Sequence, residues 1–83
     1  MSVDYSRLRS LRAREIVRAL QRDGFKFVRQ KGDHHRYHHP DGRRVTVAYS
    51  NPGDTFLLQD LKSMIEAQAR WTEDDLRRLK LVK

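Results

Sequence analysis

All four histidines of the chain stand within ten residues, Lys31–Pro40, which read KGDHHRYHHP. Histidine exchanges a proton near neutral pH and is also a common metal ligand. Such a cluster has three readings: a metal site, an acid–base centre, or a solvated strand. Spacing separates them. In an extended segment alternate side chains point to opposite faces. His34, Arg36 and His38 then share one face, and His35, Tyr37 and His39 share the other. His34 and His38 would stand roughly 13 Å apart along a strand, and the neighbours His34 and His35 point away from each other. Neither pair chelates a metal in a regular strand. An i, i+4 pair needs a helix that this polar stretch does not support, and the chain has no cysteine. No metal and no cofactor is therefore expected.

A proton-transfer role stays open. RNA carries its own nucleophile, the ribose 2′-OH. A catalyst has to remove that proton, protonate the leaving oxygen and stabilise the charge that builds on phosphorus. One histidine with Arg and Lys nearby supplies this without metal, and acid–base help is worth about 10²–10⁴-fold. The competing reading is a set of surface histidines on an open strand. On these residues alone both readings stand.

The elements that must position the cluster follow from periodicity. RAREIVRALQRDGF reads as an amphipathic helix, with Ala13, Ile16, Val17 and Leu20 at i, i+3, i+4, i+7. Gly24 suits the position just past its end. FKFVRQK (25–31) reads as a strand bounded by Gly24 and Gly32. Residues 33–39 and 43–49 make a β-hairpin around the turn Pro40-Asp41-Gly42, with Val45, Val47 and Tyr49 on one face. Tyr37 is the apolar candidate of its own strand, so its face packs inward. The face of His34, Arg36 and His38 then looks outward, with Arg44 and Thr46 beside it. NPGDT (51–55) is a loop. FLLQDLKSMIEAQA follows as a second helix with Leu57, Leu58, Leu61, Met64 and Ile65 inward. TEDDLRRLKL is a short third helix whose Thr72 and Asp75 form a capping box, with Trp71 at the joint. The fold class is α+β: an α-β-β-β-α order, a three-stranded antiparallel sheet with helices on one face, and a short extra C-terminal helix.

Charge points to the partner. The net charge is +7, and residues 1–31 hold nine Lys/Arg against three acids. Residues 51–83 hold six against six. Such asymmetry fits a polyanion, either nucleic acid or an acidic protein. Arg14, Arg18 and Arg22 form an i, i+4, i+8 stripe whose mutual repulsion an anionic partner would offset; the alternative is a solvated polar face. No stretch approaches the roughly 20 apolar residues of a membrane span, and the N-terminus lacks the apolar run of a secretory signal. A soluble, cytoplasmic protein without a membrane partner is expected.

Taken together, residues 14–47 (REIVRALQRDGFKFVRQKGDHHRYHHPDGRRVTV) and the helix LKSMIEAQ resemble the HicA-type toxin family, small mRNA interferases of bacterial toxin–antitoxin modules. The family pattern is a helix ending in Gly-Phe, then an Arg, then Gly-Ser-His, then a His-Pro turn. Here these are Gly24-Phe25, Arg29, Gly32-Asp33-His34 and His39-Pro40. The resemblance implies a fold like double-stranded-RNA-binding domains and metal-independent cleavage of mRNA. It also implies a HicB-like acidic antitoxin bound in a hetero-oligomer. The family's essential histidine maps onto His34. Arg29, Lys31 and Arg36 are then expected to hold phosphate, and Arg14, Arg18 and Arg22 to steer RNA. The family-like core is expected over 13–70 of a single domain, with 1–12 as an N-terminal arm or an extra helical turn and 71–83 as the short last helix.

The sequence differs from that pattern in three places. Asp33 stands where serine is usual. Ala48 and Ser50 stand where a proline and a histidine are frequent. The N-terminal extension is longer and basic. Asp33 brings a negative charge beside the expected phosphate site; it either weakens RNA binding or holds an adjacent imidazolium or arginine. Two rival functions keep the same fold: a non-catalytic RNA-binding module, and a protein-interaction module whose basic face meets an acidic partner.

Overall fold

The computed structural model describes residues 5–82. After a 3₁₀ turn at Tyr5–Arg7, helix α1 runs Ala13–Asp23. It buries Ala13, Ile16 and Leu20 of the expected apolar stripe, together with Ala19, while Val17 is half-buried against the core. The first amide groups of α1 are satisfied by the 52–54 loop. Ala13 N–H donates to the Asp54 carbonyl (2.8 Å) and Arg14 N–H to that of Pro52 (2.9 Å). Gly24 ends the helix at φ 102°, a left-handed conformation that glycine takes without a Cβ clash. The proposed arm is packed where it is described: Leu8 and Leu11 are buried in the core. Its first four residues lie outside the described residues, as does Lys83.

Strands β1 (Lys26–Lys31), β2 (His34–His38) and β3 (Arg44–Ala48) form an antiparallel sheet in the order β1-β2-β3. A two-residue turn, Gly32-Asp33, joins β1 to β2, with Gly32 at φ 59°. Glycine at the first central position is what a tight type II′ hairpin favours. In the second hairpin, His39 N–H donates to the Arg43 carbonyl and Gly42 N–H returns to that of His39, both at 2.9 Å. The ladder between β1 and β2 slips once, between Phe27 and Arg29, leaving Val28 as a bulge. That bulge decides which side chains share a face. Phe27 pairs with Tyr37 and Arg29 with Arg36, so two residues that a regular strand would align point to opposite faces.

One face of the sheet, carrying Tyr37, Val45 and Val47, packs on Ile16, Leu20, Leu61, Ile65, Trp71 and Leu76. The other face is open. Helix α2 is short, Leu58–Lys62, and continues as a π-helical segment, Ser63–Gln68. Ala69 N–H closes that wide turn on the Met64 carbonyl at 2.8 Å. The inward face is narrower than the sequence expectation. Leu61, Met64 and Ile65 are buried, but Leu57 is 67% and Leu58 38% exposed. Leu57 is the residue before the helix, and half-buried Phe56 packs against the core in its place. Helix α3 spans Glu73–Arg78 with the Thr72–Asp75 capping box in place.

The α1 end, the 39–43 turn and α3 meet at Asp23. Its carboxylate accepts from Trp71 Nε1 (2.9 Å) and pairs with Arg78 (2.8 Å) and Arg43 (3.1 Å). Arg43 also pairs with Asp41, donates to the Ala69 carbonyl and lies 4.9 Å from the centre of the Phe25 ring. Burial alone would raise the Asp23 carboxyl; the Trp71 indole, Arg78 and Arg43 outweigh it and hold it below the ordinary carboxylate range.

Candidate active site

The open face of the sheet carries the candidate site residues. Directly opposed residues of an antiparallel pair project from the same face. The pairs Arg29–Arg36 and Lys31–His34 therefore stand side by side. These four side chains line one shallow concavity of about 240 Å3. Sequence reasoning named all four residues, and the fold brings them together. The Val28 bulge is what brings Arg29 onto this face while Phe27 stays against Tyr37. Like charges facing each other across a ladder are destabilising by up to about 1 kcal/mol. A phosphate between them would reverse that sign. His34 is exposed, at the start of β2, and its imidazole makes no hydrogen bond to any described residue.

The other histidines are structural or peripheral. His35 is buried. Its Nδ1 lies 3.0 Å from the Asp33 carbonyl and 3.2 Å from that of Val47. Both partners accept only, so Nδ1 carries the proton. The ring stacks on Tyr49 at 4.0 Å. His39 Nε2 donates to the Asp23 carbonyl (2.7 Å), and its Nδ1 accepts from Asp41 N–H (3.1 Å). It also lies against Gly24: a Cβ there would sit 3.0 Å from Nε2. The Gly-Phe and His-Pro pieces of the sequence pattern are thus one contact, joining the end of α1 to the 39–43 turn. His38 is half-buried near that turn.

Asp33 holds neither an imidazolium nor an arginine. Its carboxylate accepts from the Ser50 hydroxyl at 3.1 Å, and its carbonyl accepts from Tyr49 N–H at 2.9 Å and from His35. Two of the departures from the family pattern are therefore bonded to each other. The Ser50 side is fixed in turn by Asp54, which accepts the Ser50 and Asn51 amides at 3.0 Å. The turn preceding His34 is tied to the segment after β3.

A second cleft, about 200 Å3, opens on the other side of His34. Thr46 and Ala48 form its floor, and Phe56, Asp60, Ser63 and Met64 line the rest with Gln68. Gln68 accepts Thr46 N–H at 2.8 Å, which covers the outer edge of β3, and donates to Ser63 Oγ at 2.9 Å. Sequence reasoning placed Thr46 beside His34 but did not see the cleft or the part of Asp60, Ser63 and Gln68 in it. The one available signal was that Asp60 and Ser63 are polar at i, i+3 on a helix otherwise read for its apolar face.

The arginine stripe lies elsewhere. Arg14, Arg18 and Arg22 are exposed on α1, which packs on the opposite face of the sheet, and they line neither the concavity nor the cleft. Arg22 donates to the Leu79 carbonyl at 3.4 Å. Among the described residues no three His, Asp or Glu side chains converge as a metal-ligand set. No helix among them is long and apolar enough to cross a membrane.

The comparison with known families covers most of the chain. Residues 13–70 match the model described as the HicA toxin of bacterial toxin–antitoxin modules. No curated protein matches the chain. The matched span holds the α-β-β-β-α layout, all four histidines, and both the concavity and the cleft. The chain belongs to the HicA toxin family of bacterial toxin–antitoxin systems.

Proposed function

We propose that this toxin acts as a metal-independent endoribonuclease on mRNA, with His34 as its acid–base residue. The observation that carries the reading is the placement of an exposed, unpartnered His34 among Arg29, Lys31 and Arg36 on the open sheet face. In the reaction the ribose 2′-oxygen attacks phosphorus and gives its proton to His34. The bond from phosphorus to the 5′-oxygen breaks, and the leaving oxygen takes a proton from water. The products are a 2′,3′-cyclic phosphate and a 5′-hydroxyl. Arg29, Lys31 and Arg36 hold the phosphate and offset the charge that builds on it. Arg14, Arg18 and Arg22 act at longer range, raising the local concentration of RNA.

The cations contact backbone and carry no sequence information, so they set affinity and position. A HicB-like acidic antitoxin would silence the toxin by covering the open face in a hetero-oligomer, in the cytoplasm where mRNA is translated. The test is expression of the wild type beside His34→Ala. Growth arrest and mRNA decay are expected for the wild type alone; equal arrest and equal decay for the two proteins would overturn the reading. Tight, salt-sensitive RNA binding by the pure wild type without any cleavage would instead favour a non-catalytic module of the same fold.

A further inference from the structure

The cleft beside His34 is polar on one wall, and the phosphate reading does not use it. Its position matters first. His34 lines both the basic concavity and the cleft. A phosphate held by Arg29, Lys31 and Arg36 therefore leaves the adjoining nucleoside at the mouth of the cleft. At about 200 Å3 the space is smaller than the roughly 300–1,000 Å3 of sites for drug-sized ligands. That suits one base, not a stack. Half-buried Phe56 and the edge of buried Met64 give it apolar walls against which a base face can lie. Ala48 on the floor is small and leaves the space open.

The polar groups then select among bases. Asp60 and Ser63 are i and i+3 on α2 and its π extension, so they are neighbours on one helix face. The Asp60 carboxylate is exposed, accepts only, and makes no hydrogen bond to any described residue. Ser63 Oγ already accepts from Gln68, which leaves its O–H free to donate. The carbonyl of Gln68 is taken by Thr46 N–H. The cleft thus presents a carboxylate acceptor beside a hydroxyl donor. Guanine shows the complement on its Watson–Crick edge: two adjacent N–H donors next to the O6 acceptor. Adenine and cytosine each offer one amino group, and uracil offers a single N–H. A lone carboxylate is also a poor choice for a site meant to hold phosphate, which argues that it reads a base.

We infer that the cleft is a base-reading subsite that prefers guanine next to the phosphate held at His34, with Asp60 and Ser63 as its specificity residues. The inference rests on the ribonuclease reading for its substrate. A bidentate carboxylate–base contact discriminates by roughly 5- to 150-fold.

The test uses binding, so it does not depend on cleavage. Short 2′-O-methyl RNA oligomers, which lack the nucleophile, are made with G, A, C or U on either side of one central phosphate. Their affinities for the full chain are read by fluorescence anisotropy. On one side of the phosphate the G oligomer is expected to bind at least about fivefold tighter than the U oligomer. Asp60→Asn is expected to abolish that preference, and Ser63→Ala to reduce it. Asp60 is exposed, and circular dichroism checks that the fold is kept. Equal affinities for all four bases, no RNA binding, or an unchanged G preference in Asp60→Asn would each overturn the inference. Cleavage of unmodified RNA is followed in parallel to keep the two readings apart. A wild type that prefers G but leaves RNA intact contradicts the ribonuclease reading alone. A wild type that cuts RNA without regard to Asp60 contradicts the base subsite alone.

Discussion

His34 and His35 are adjacent in sequence and differ in what surrounds them. His34 touches nothing that holds it, so His34→Ala should leave the melting temperature almost unchanged while reducing RNA cleavage by at least about 10²-fold. His35 is buried, bonded to two carbonyls and stacked on Tyr49. His35→Ala removes a partner from both carbonyls and empties a packed position. It should lower stability by about 2–3 kcal/mol, measured by chemical denaturation. A stable His35→Ala protein, or an unstable His34→Ala protein, would contradict the assignment. Lys31 offers a second test at this scale. If it contacts phosphate, Lys31→Ala should reduce the slope of log affinity against log salt by about 0.7 for single-stranded RNA. An unchanged slope would remove Lys31 from the site. Strand alternation made much of this legible: it separates His34 from His35 before any coordinates are known. The Asp33–Ser50 bond was not legible, because the two residues are 17 apart in sequence and nothing in either type names the other.

At the level of elements, backbone irregularities do what regular periodicity cannot describe. The Val28 bulge puts Phe27, still half exposed, on the face of Tyr37 and Arg29 on the open face. The π turn at Ser63–Gln68 brings Gln68 to the edge of β3. Both are one-residue changes of phase, and a reading based on periods of 2 and 3.6 cannot locate them. The same reading placed Leu57 and Leu58 inward, and the late start of α2 leaves them exposed. Arg70, just past the π segment, sits at φ 56°. A left-handed conformation costs a residue with a Cβ about 1 kcal/mol relative to glycine. Arg70 is exposed, so Arg70→Gly should raise the melting temperature by about 4–8 °C for a domain of this size. A lower melting temperature would mean that the Arg70 side chain makes a stabilising contact.

The whole molecule separates its two jobs by face. The inner face of the sheet carries the core, and the open face carries Arg29, Lys31 and Arg36. The uneven charge of the sequence gives the expectation of an anionic partner, and the α+β layout followed from strand and turn signals. The balance between the arginines was not visible: Arg43 and Arg78 serve the Asp23 network, while Arg29 and Arg36 face solvent. Asp23 makes the fold sensitive to acid. Its folded pKa lies below the unfolded value, near 4 for aspartate. Its contribution is therefore complete above that value and is lost as pH falls through the folded pKa. Asp75, lowered by the Thr72 backbone N–H and Arg78, acts in the same direction. Asp23→Asn should cost about 2 kcal/mol at pH 7 and flatten the fall of melting temperature below about pH 4. An acid limb identical to that of the wild type would show that Asp23 is not one of the groups that set it.

The central claim is that His34 performs metal-independent transfer of the 2′-hydroxyl proton. The direct measurement incubates purified wild type and His34→Ala with one defined RNA in excess chelator and identifies the product ends. The account predicts 2′,3′-cyclic phosphate and 5′-hydroxyl ends from the wild type, and at least about 10²-fold slower cleavage by His34→Ala. Equal rates for the two proteins, or loss of wild-type activity in chelator, would contradict it.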